Sequence, residues 1–217
     1  MPKEQMTDRK PAVPANEEEI IVQGGKVYTV VKRTFDIVVS LVFGILLLIP
    51  MLVIALAIRL EASGPILYKQ ERLGLNRKPF VIYKFRSMIL DAEKDGPQWA
   101  EKDDRRATKV GRFLRNTRLD ELPQLWNILR GDMSFVGPRP ERLYFYEIYE
   151  QYIPNFGKRM LVIPGLTGWA QVNGGYDLVA EEKIVYDLEY IRKRSLKMDL
   201  LCLFKTVKLV FTHEGAR

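Results

Sequence analysis

The run from Ile37 to Ile58, IVVSLVFGILLLIPMLVIALAI, carries no charge. As a helix it measures ~33 Å at ~1.5 Å per residue, enough to cross a ~30 Å hydrocarbon layer. It begins too deep in the chain for a plain signal peptide. Arg59 and Glu61 follow it where a small-residue cleavage site would have to lie. It therefore reads as a retained membrane helix. Pro50 interrupts it, because proline lacks an N–H and clashes with the carbonyl one turn back. Both flanks are basic, with Lys26, Lys32 and Arg33 upstream and Arg59, Lys69, Arg72, Arg77 and Lys78 downstream. Basic flanks prefer the cytoplasm, and one straight span cannot put both there. A re-entrant helix bent at Pro50 can. A kinked span whose downstream domain faces the cytoplasm is the alternative, and charge alone leaves both open.

The 217 residues suit one domain of ordinary size. Lys+Arg number 34 against 27 Asp+Glu, a net charge of +7, which favours an anionic partner such as nucleic acid, phospholipid or a phosphorylated substrate. One Cys and one His are too few for a zinc cage or a disulfide framework. Cys202 sits in an apolar run and reads as packing, and His213 lies close to the C-terminus. Acid–base or nucleophilic chemistry must then fall on carboxylates, Tyr or Lys. No P-loop, dinucleotide fingerprint or HExxH motif is present.

Residues 1–25 hold Pro2, Pro11, Pro14, three consecutive Glu and Gly24-Gly25, and read as a flexible tail. Residues 26–60 form the membrane helix with its flanks, and 61–217 a domain on the cytoplasmic face. ILYKQER and PFVIYKFRSM are β-rich around Gly74-Leu75-Asn76-Arg77, a hairpin signal. Residues 88–106 are expected to form an amphipathic surface helix interrupted at Gly96-Pro97. Leu122, Leu125 and Leu129 recur at helical spacing before Gly131, predicting a helix that starts at Asp120 or Glu121. Helices are also expected over 141–152, 178–193 and 195–212. In the last, Leu200, Leu203, Phe204, Val207 and Phe211 share a face that packs on the core, lies on lipid, or does both. IPGLTGWAQVNGG is too broken by glycine for a long element.

Within LDELPQL, Asp120 has a bland explanation as an N-terminal helix cap favoured by the helix dipole. Three features argue for chemistry. Glu121 adds a second carboxylate, Arg115 and Arg118 supply phosphate-binding cations, and Pro138 and Pro140 restrict the backbone around Arg139. A carboxylate can attack phosphorus and form an acyl phosphate, provided it stays ionised. Arginines and Mg²⁺ would offset its repulsion from the anionic group being transferred.

The runs KRTFDIVVSLVFGILLLIP, ILYKQERLGLNRKPFVIYKFRSM, RNTRLDELPQLWNILRGDMSFVGPRP and PGLTGWAQVNG resemble the bacterial sugar transferase family of monotopic phosphoglycosyl transferases. The resemblance covers residues 26–212, in long motifs held in order. It implies a predominantly helical α+β fold in which a re-entrant, Pro-broken membrane helix, a small β-hairpin and amphipathic interfacial helices surround the catalytic site. It implies transfer of a sugar-1-phosphate from a UDP-sugar to undecaprenyl phosphate, with release of UMP, in a ping-pong, Mg²⁺-dependent reaction. Such a step opens exopolysaccharide, capsule or O-antigen assembly on the cytoplasmic face of the bacterial inner membrane. By the same resemblance Asp120 is the nucleophile and lies at the metal, Glu121 assists as a base, and Arg115 and Arg139 hold phosphates. Ile49 stands before Pro50 where some relatives have Ser, which alters how the break is satisfied. The chain looks like the short form, without the several-helix N-terminal region of larger members. Gln171 and Asn173 are candidates for donor contact, and Arg59, Arg72, Arg77 and Lys78 for phospholipid headgroups. A homodimer is left open. A nucleic-acid partner has no motif behind it. A catalytically inactive membrane scaffold is the competing reading, and the intact Asp-Glu pair argues against it.

Overall fold

The computed structural model describes residues 19–94, 96, 104–175 and 178–212. The proline-broken run is the second half of a longer bent pair. α1 spans Lys26–Leu46 and α2 spans Leu48–Glu61, and the two axes are bent by 61°. The break falls at Leu47, one turn ahead of Pro50, because in a continuous helix the proline ring would meet the carbonyl of Leu46. Leu47 N still donates to Phe43 O and Met51 N to Leu47 O, both at 2.8 Å, so little backbone hydrogen bonding is lost at the corner. No single described helix is long and apolar enough to cross a membrane. The bent pair passes that test only when both helices are taken together.

Polar groups, more than apolar ones, attach α1 to the rest of the protein. Arg33 donates through Nη1 and Nη2 to the carbonyls of Ile128 and Leu129, each at 2.6 Å. These carbonyls lie in the last turn of α4, Leu125–Arg130, where a cation is also favoured by the helix dipole. Buried Asp36 accepts from Phe135 N at 3.1 Å. Lys32 Nζ meets Asp199 at 2.7 Å, and Tyr28 and Tyr190 donate to the same carboxylate at 2.9 and 2.7 Å. Lys32 and Arg33 are therefore internal ties and not free interfacial charges. Arg72 and Arg77, expected at headgroups, are likewise engaged within the protein, with Glu141 and Glu150. Arg59 donates to Gly64 O.

The hairpin forms as expected. β1, Leu67–Leu73, pairs antiparallel with β2, Pro79–Phe85, and Asn76 and Arg77 take positive φ at the turn. The described part of 88–106 makes turns at 90–94 and a bridge between Met88 and Ala107, not the expected helix, while Pro97 and Trp99 fall outside the described residues. Next comes α3, Lys109–Thr117, an element the sequence reading did not contain. Its first amides are capped from afar. Glu61, the last residue of α2, accepts from Lys109 N at 2.7 Å and Val110 N at 3.1 Å. Arg118 then turns the chain in a left-handed conformation, φ 58°, into a 3-10 turn over Leu119–Gln124 that runs straight into α4. Gly131, φ 89°, ends α4 as expected.

β3, Ser134–Val136, lies parallel to β4, Gly165–Thr167. Between them come α5, Leu143–Tyr149, and a 3-10 turn over Phe156–Leu161. Aromatic residues of these two elements build one core with Leu73 and Ile184. The glycine-rich segment yields only β4 and the four-residue α6, Trp169–Val172. α7, Ala180–Lys193, and α8, Leu196–Thr212, close the chain. The expected apolar face of α8 points outward, with Leu200, Phe204 and Val207 exposed, while Asp199, Cys202 and part-buried Thr206 face the protein. Of the expected tail, residues 1–18 lie outside the described residues. Ile20 is buried in the core that holds Cys202, and Gln23 N donates to Ile191 O, so the chain joins the fold before residue 25.

α3 crosses the end of β2 so closely that a Cβ on Gly111 would sit 1.9 Å from Ser87 O. Gly111→Ala is expected to destabilise the protein by about 1–3 kcal/mol through forced displacement of α3. Denaturant unfolding followed by tryptophan fluorescence reads the change.

Candidate active site

Three chain segments meet at Glu121. Its Oε1 accepts from Lys84 Nζ at 2.8 Å and from Arg139 Nη2 at 2.5 Å. Lys84 comes from β2, the carboxylate from the 3-10 turn, and Arg139 from the Gly-Pro-Arg-Pro turn after β3. Arg139 has a rigid seat. Besides its two prolines, its carbonyl accepts from Arg159 Nη2 at 3.1 Å, and Arg159 is fixed by a fully buried ion pair with Asp187 at 2.7 Å. Behind the turn, β3 and β4 approach so closely that a Cβ on Gly165 would lie 2.1 Å from Gly137 N.

These side chains line one wall of a cavity of about 1050 Å³. Asp120, Glu121, Lys84, Arg115, Arg118 and Arg139 all face it. Gln171 lines it too, donating from Nε2 to Leu166 O, whereas Asn173 is not among its lining residues. Asn173 donates to Trp169 O and accepts from Lys205 Nζ at 2.8 Å, which ties α6 to α8. Phe43 and Leu47, at the corner of the bent pair, line the cavity as well, with Leu122 and Leu203.

The bland reading of Asp120 fails. It is the second residue of a 3-10 turn whose N-cap position is Arg118, not Asp120. Only 8 % of Asp120 is exposed, and burial pushes its carboxyl up to about 6, against the pull of Lys84, Arg139 and Arg115. Burial opposes its ionised form, and the neighbouring cations favour it. Glu121 behaves oppositely. Burial would raise its pKa, yet Arg139 and Lys84 hold it well below the usual carboxylate range.

Among the described residues no group of three His, Cys, Asp or Glu could form a metal cage. That donor set still fits Mg²⁺, which commonly takes one or two carboxylates and completes its shell with water and substrate phosphates. Asp120 is the carboxylate available for it, because Glu121 already serves two cations.

Residues 27–213 match bacterial sugar transferases. The chain belongs to the bacterial sugar transferase family. It is 44% identical over 195 residues to a UDP-N-acetylgalactosamine-undecaprenyl-phosphate N-acetylgalactosaminephosphotransferase of Aeromonas hydrophila, covering 88% of this chain and 46% of that protein. It is also 44% identical over 192 residues to a UDP-glucose:undecaprenyl-phosphate glucose-1-phosphate transferase of Escherichia coli, covering 85% and 41%. A Caulobacter vibrioides transferase of the same description is 43% identical over 192 residues, covering 85% and 71%. The chain thus spans less than half the length of the first two relatives.

The sequence reading brought Asp120, Glu121, Arg115 and Arg139 to this cavity and missed Lys84 and Arg159. Lys84 shares a face of β2 with inward-facing Ile82 two residues earlier, which places a cation among core positions. Nothing local links Arg159 to Asp187. Lys84→Met is expected to move the Asp120 carboxyl above about 6, since the nearest cation favouring its ionised form is lost. A carbon-detected NMR titration of metal-free protein reads the shift, and an unchanged value would remove Lys84 from the electrostatics of the site.

Proposed function

We propose that this chain transfers a sugar-1-phosphate from a UDP-sugar to a polyprenyl phosphate such as undecaprenyl phosphate. The observation that carries the reading is a buried Asp120 facing a cation-lined cavity that also opens on the corner of a bent apolar helix pair. The relatives' names supply the two substrates. An Asp120 oxygen attacks the phosphorus that bears the sugar, and the bond from that phosphorus to the bridging oxygen breaks. UMP leaves with the electron pair, and an aspartyl phosphosugar remains. A phosphate oxygen of the polyprenyl acceptor then attacks the same phosphorus, returning Asp120 as a carboxylate and forming a polyprenyl diphosphate sugar.

Arg139, Arg115 and Lys84 offset the charge of the transferring and leaving phosphates. Mg²⁺, held by Asp120 and substrate phosphate oxygens, would supply further positive charge for the departing UMP. Glu121, fixed as a carboxylate between two cations, positions Arg139 and Lys84 in this reading and is a poor proton acceptor. An acceptor phosphate already ionised near neutral pH needs no strong base.

The 61° bend of the apolar pair supports the re-entrant reading. Ile45, Leu46, Ile49 and Leu60 are exposed to 74, 67, 73 and 77 %, an apolar surface suited to lipid. In this reading the chain is monotopic at the cytoplasmic face of the bacterial inner membrane, with phospholipid around α1 and α2.

Asp120→Asn is expected to lower UMP release from a UDP-sugar at least ~10³-fold with folding intact. Chelation of divalent metal should stop the wild-type reaction and added Mg²⁺ should restore it. Normal turnover by the Asn variant removes Asp120 as nucleophile. For topology, cysteines at Gly25→Cys and Ser63→Cys should both react with a membrane-impermeant thiol reagent only in inverted vesicles. Labelling of one from each side overturns the re-entrant pair.

A further inference from the structure

The cavity has a second polar wall that the phosphate chemistry does not use. Along β1, Tyr68, Gln70 and Arg72 alternate onto one face, as period-two geometry requires, and all three line the cavity. They are linked in a row. Gln70 Nε2 donates to Tyr68 Oη at 2.7 Å, and Arg72 Nη2 donates to Gln70 Oε1 at 2.5 Å. Glu93 caps one end, accepting from Tyr68 Oη at 3.3 Å and from Arg142 Nη1 at 2.9 Å. At the other end Arg72 Nη1 donates to buried Glu141 at 3.2 Å.

We propose that this wall, centred on Gln70 and Glu93, recognises the hydroxyl groups of the donor sugar and sets which sugar is transferred. The assignment rests on the phosphosugar-transfer reading above. Its position argues for sugar over nucleoside. Tyr68 lies directly across the hairpin from Lys84, the residue whose ammonium holds Glu121, and such paired residues have Cβ atoms ~5 Å apart. Glu141 follows Arg139 by two residues. Both ends of the wall therefore adjoin the groups that would hold the attacked phosphate. The sugar is joined directly to that phosphorus, whereas the nucleoside stands one further phosphate away. Composition agrees. Phenol, carboxamide, carboxylate and guanidinium in one row offer donors and acceptors side by side, as sugar hydroxyls require. The Phe43, Leu47 and Leu203 side of the same cavity offers none. A site built to hydrogen-bond a hydroxyl rejects an analogue that lacks it or points it elsewhere far better than an apolar pocket does.

The test compares kcat/KM for UDP-glucose and UDP-N-acetylgalactosamine in wild type, Gln70→Met and Glu93→Gln, using full-length protein, Mg²⁺ and polyprenyl phosphate in detergent. Both variants are near-isosteric, and UMP, which lacks the sugar, serves as a competing probe. The ratio of the two donors is expected to shift at least ~10-fold in each variant, with the UMP inhibition constant unchanged within about twofold. An unchanged ratio in an active variant overturns the assignment alone. So does equal loss with both donors, and so does UMP binding that weakens in parallel, which would seat the nucleotide on this wall. Wild-type protein that releases UMP from no UDP-sugar sinks the activity itself and this assignment with it.

Discussion

One carboxylate oxygen, Oε1 of Glu121, joins three elements that are far apart in the chain. Lys84 on β2 and Arg139 after β3 converge on it from two sides. Removing this partly buried carboxylate from between two cations would leave like charges facing each other, so charge joins the apolar contacts of Phe85 with Leu119 and Leu122 in holding the segments in register. The neighbouring Asp120 gains from this. Both cations act on it while also donating to Glu121, so Asp120 has favourable charge nearby. Two adjacent acids thereby acquire different roles from different surroundings. One is locked as an anion, and the other is left able to change its bonding.

The same use of polar ties explains how an apolar helix pair can sit beside such a site. α1 exposes much of its apolar surface, yet it docks through Arg33 on the α4 carbonyls, Asp36 on the Phe135 amide and Lys32 on Asp199. Bonds of this kind fix azimuth and depth, which an apolar contact with lipid alternatives cannot do. Glu61 ties the far end of α2 to the first amides of α3, and α3 leads through Arg118 to Asp120. The corner at Leu47 and the carboxylate at Asp120 are thus held at a set separation by two independent routes.

Local signals in the sequence were read well where the cause is local. Gly131 ends α4 because only a left-handed residue satisfies the last carbonyls, and the Gly74–Arg77 turn places β1 on β2. The Asp-Glu pair and the proline-flanked arginine announced the site because two acids and a rigid cation in one short stretch exceed structural need. What could not be read depends on distant partners. Lys84 looks like one more charge in a strand until Glu121 lies opposite. The α8 pattern does contain an apolar stripe, but the face that packs is Asp199, Cys202 and Thr206. Tyr28, Lys32 and Tyr190 supply the partners that make a buried carboxylate affordable there. Lys32 and Arg33 were read as interfacial charges for the same reason, since a cation beside an apolar run carries no mark of the carbonyl or carboxylate that will receive it.

The Arg159–Asp187 pair shows how far support for the site extends. Neither side chain touches Glu121, and both are buried. Burying an ion pair contributes little net stability, whereas losing one partner costs about 3–5 kcal/mol. Its position suggests a use beyond stability, because Arg159 also donates to the carbonyl of Arg139. α7 thereby sets the backbone of the turn that aims the Arg139 guanidinium at the cavity. A guanidinium fixed this way has less freedom to lose when an anion arrives.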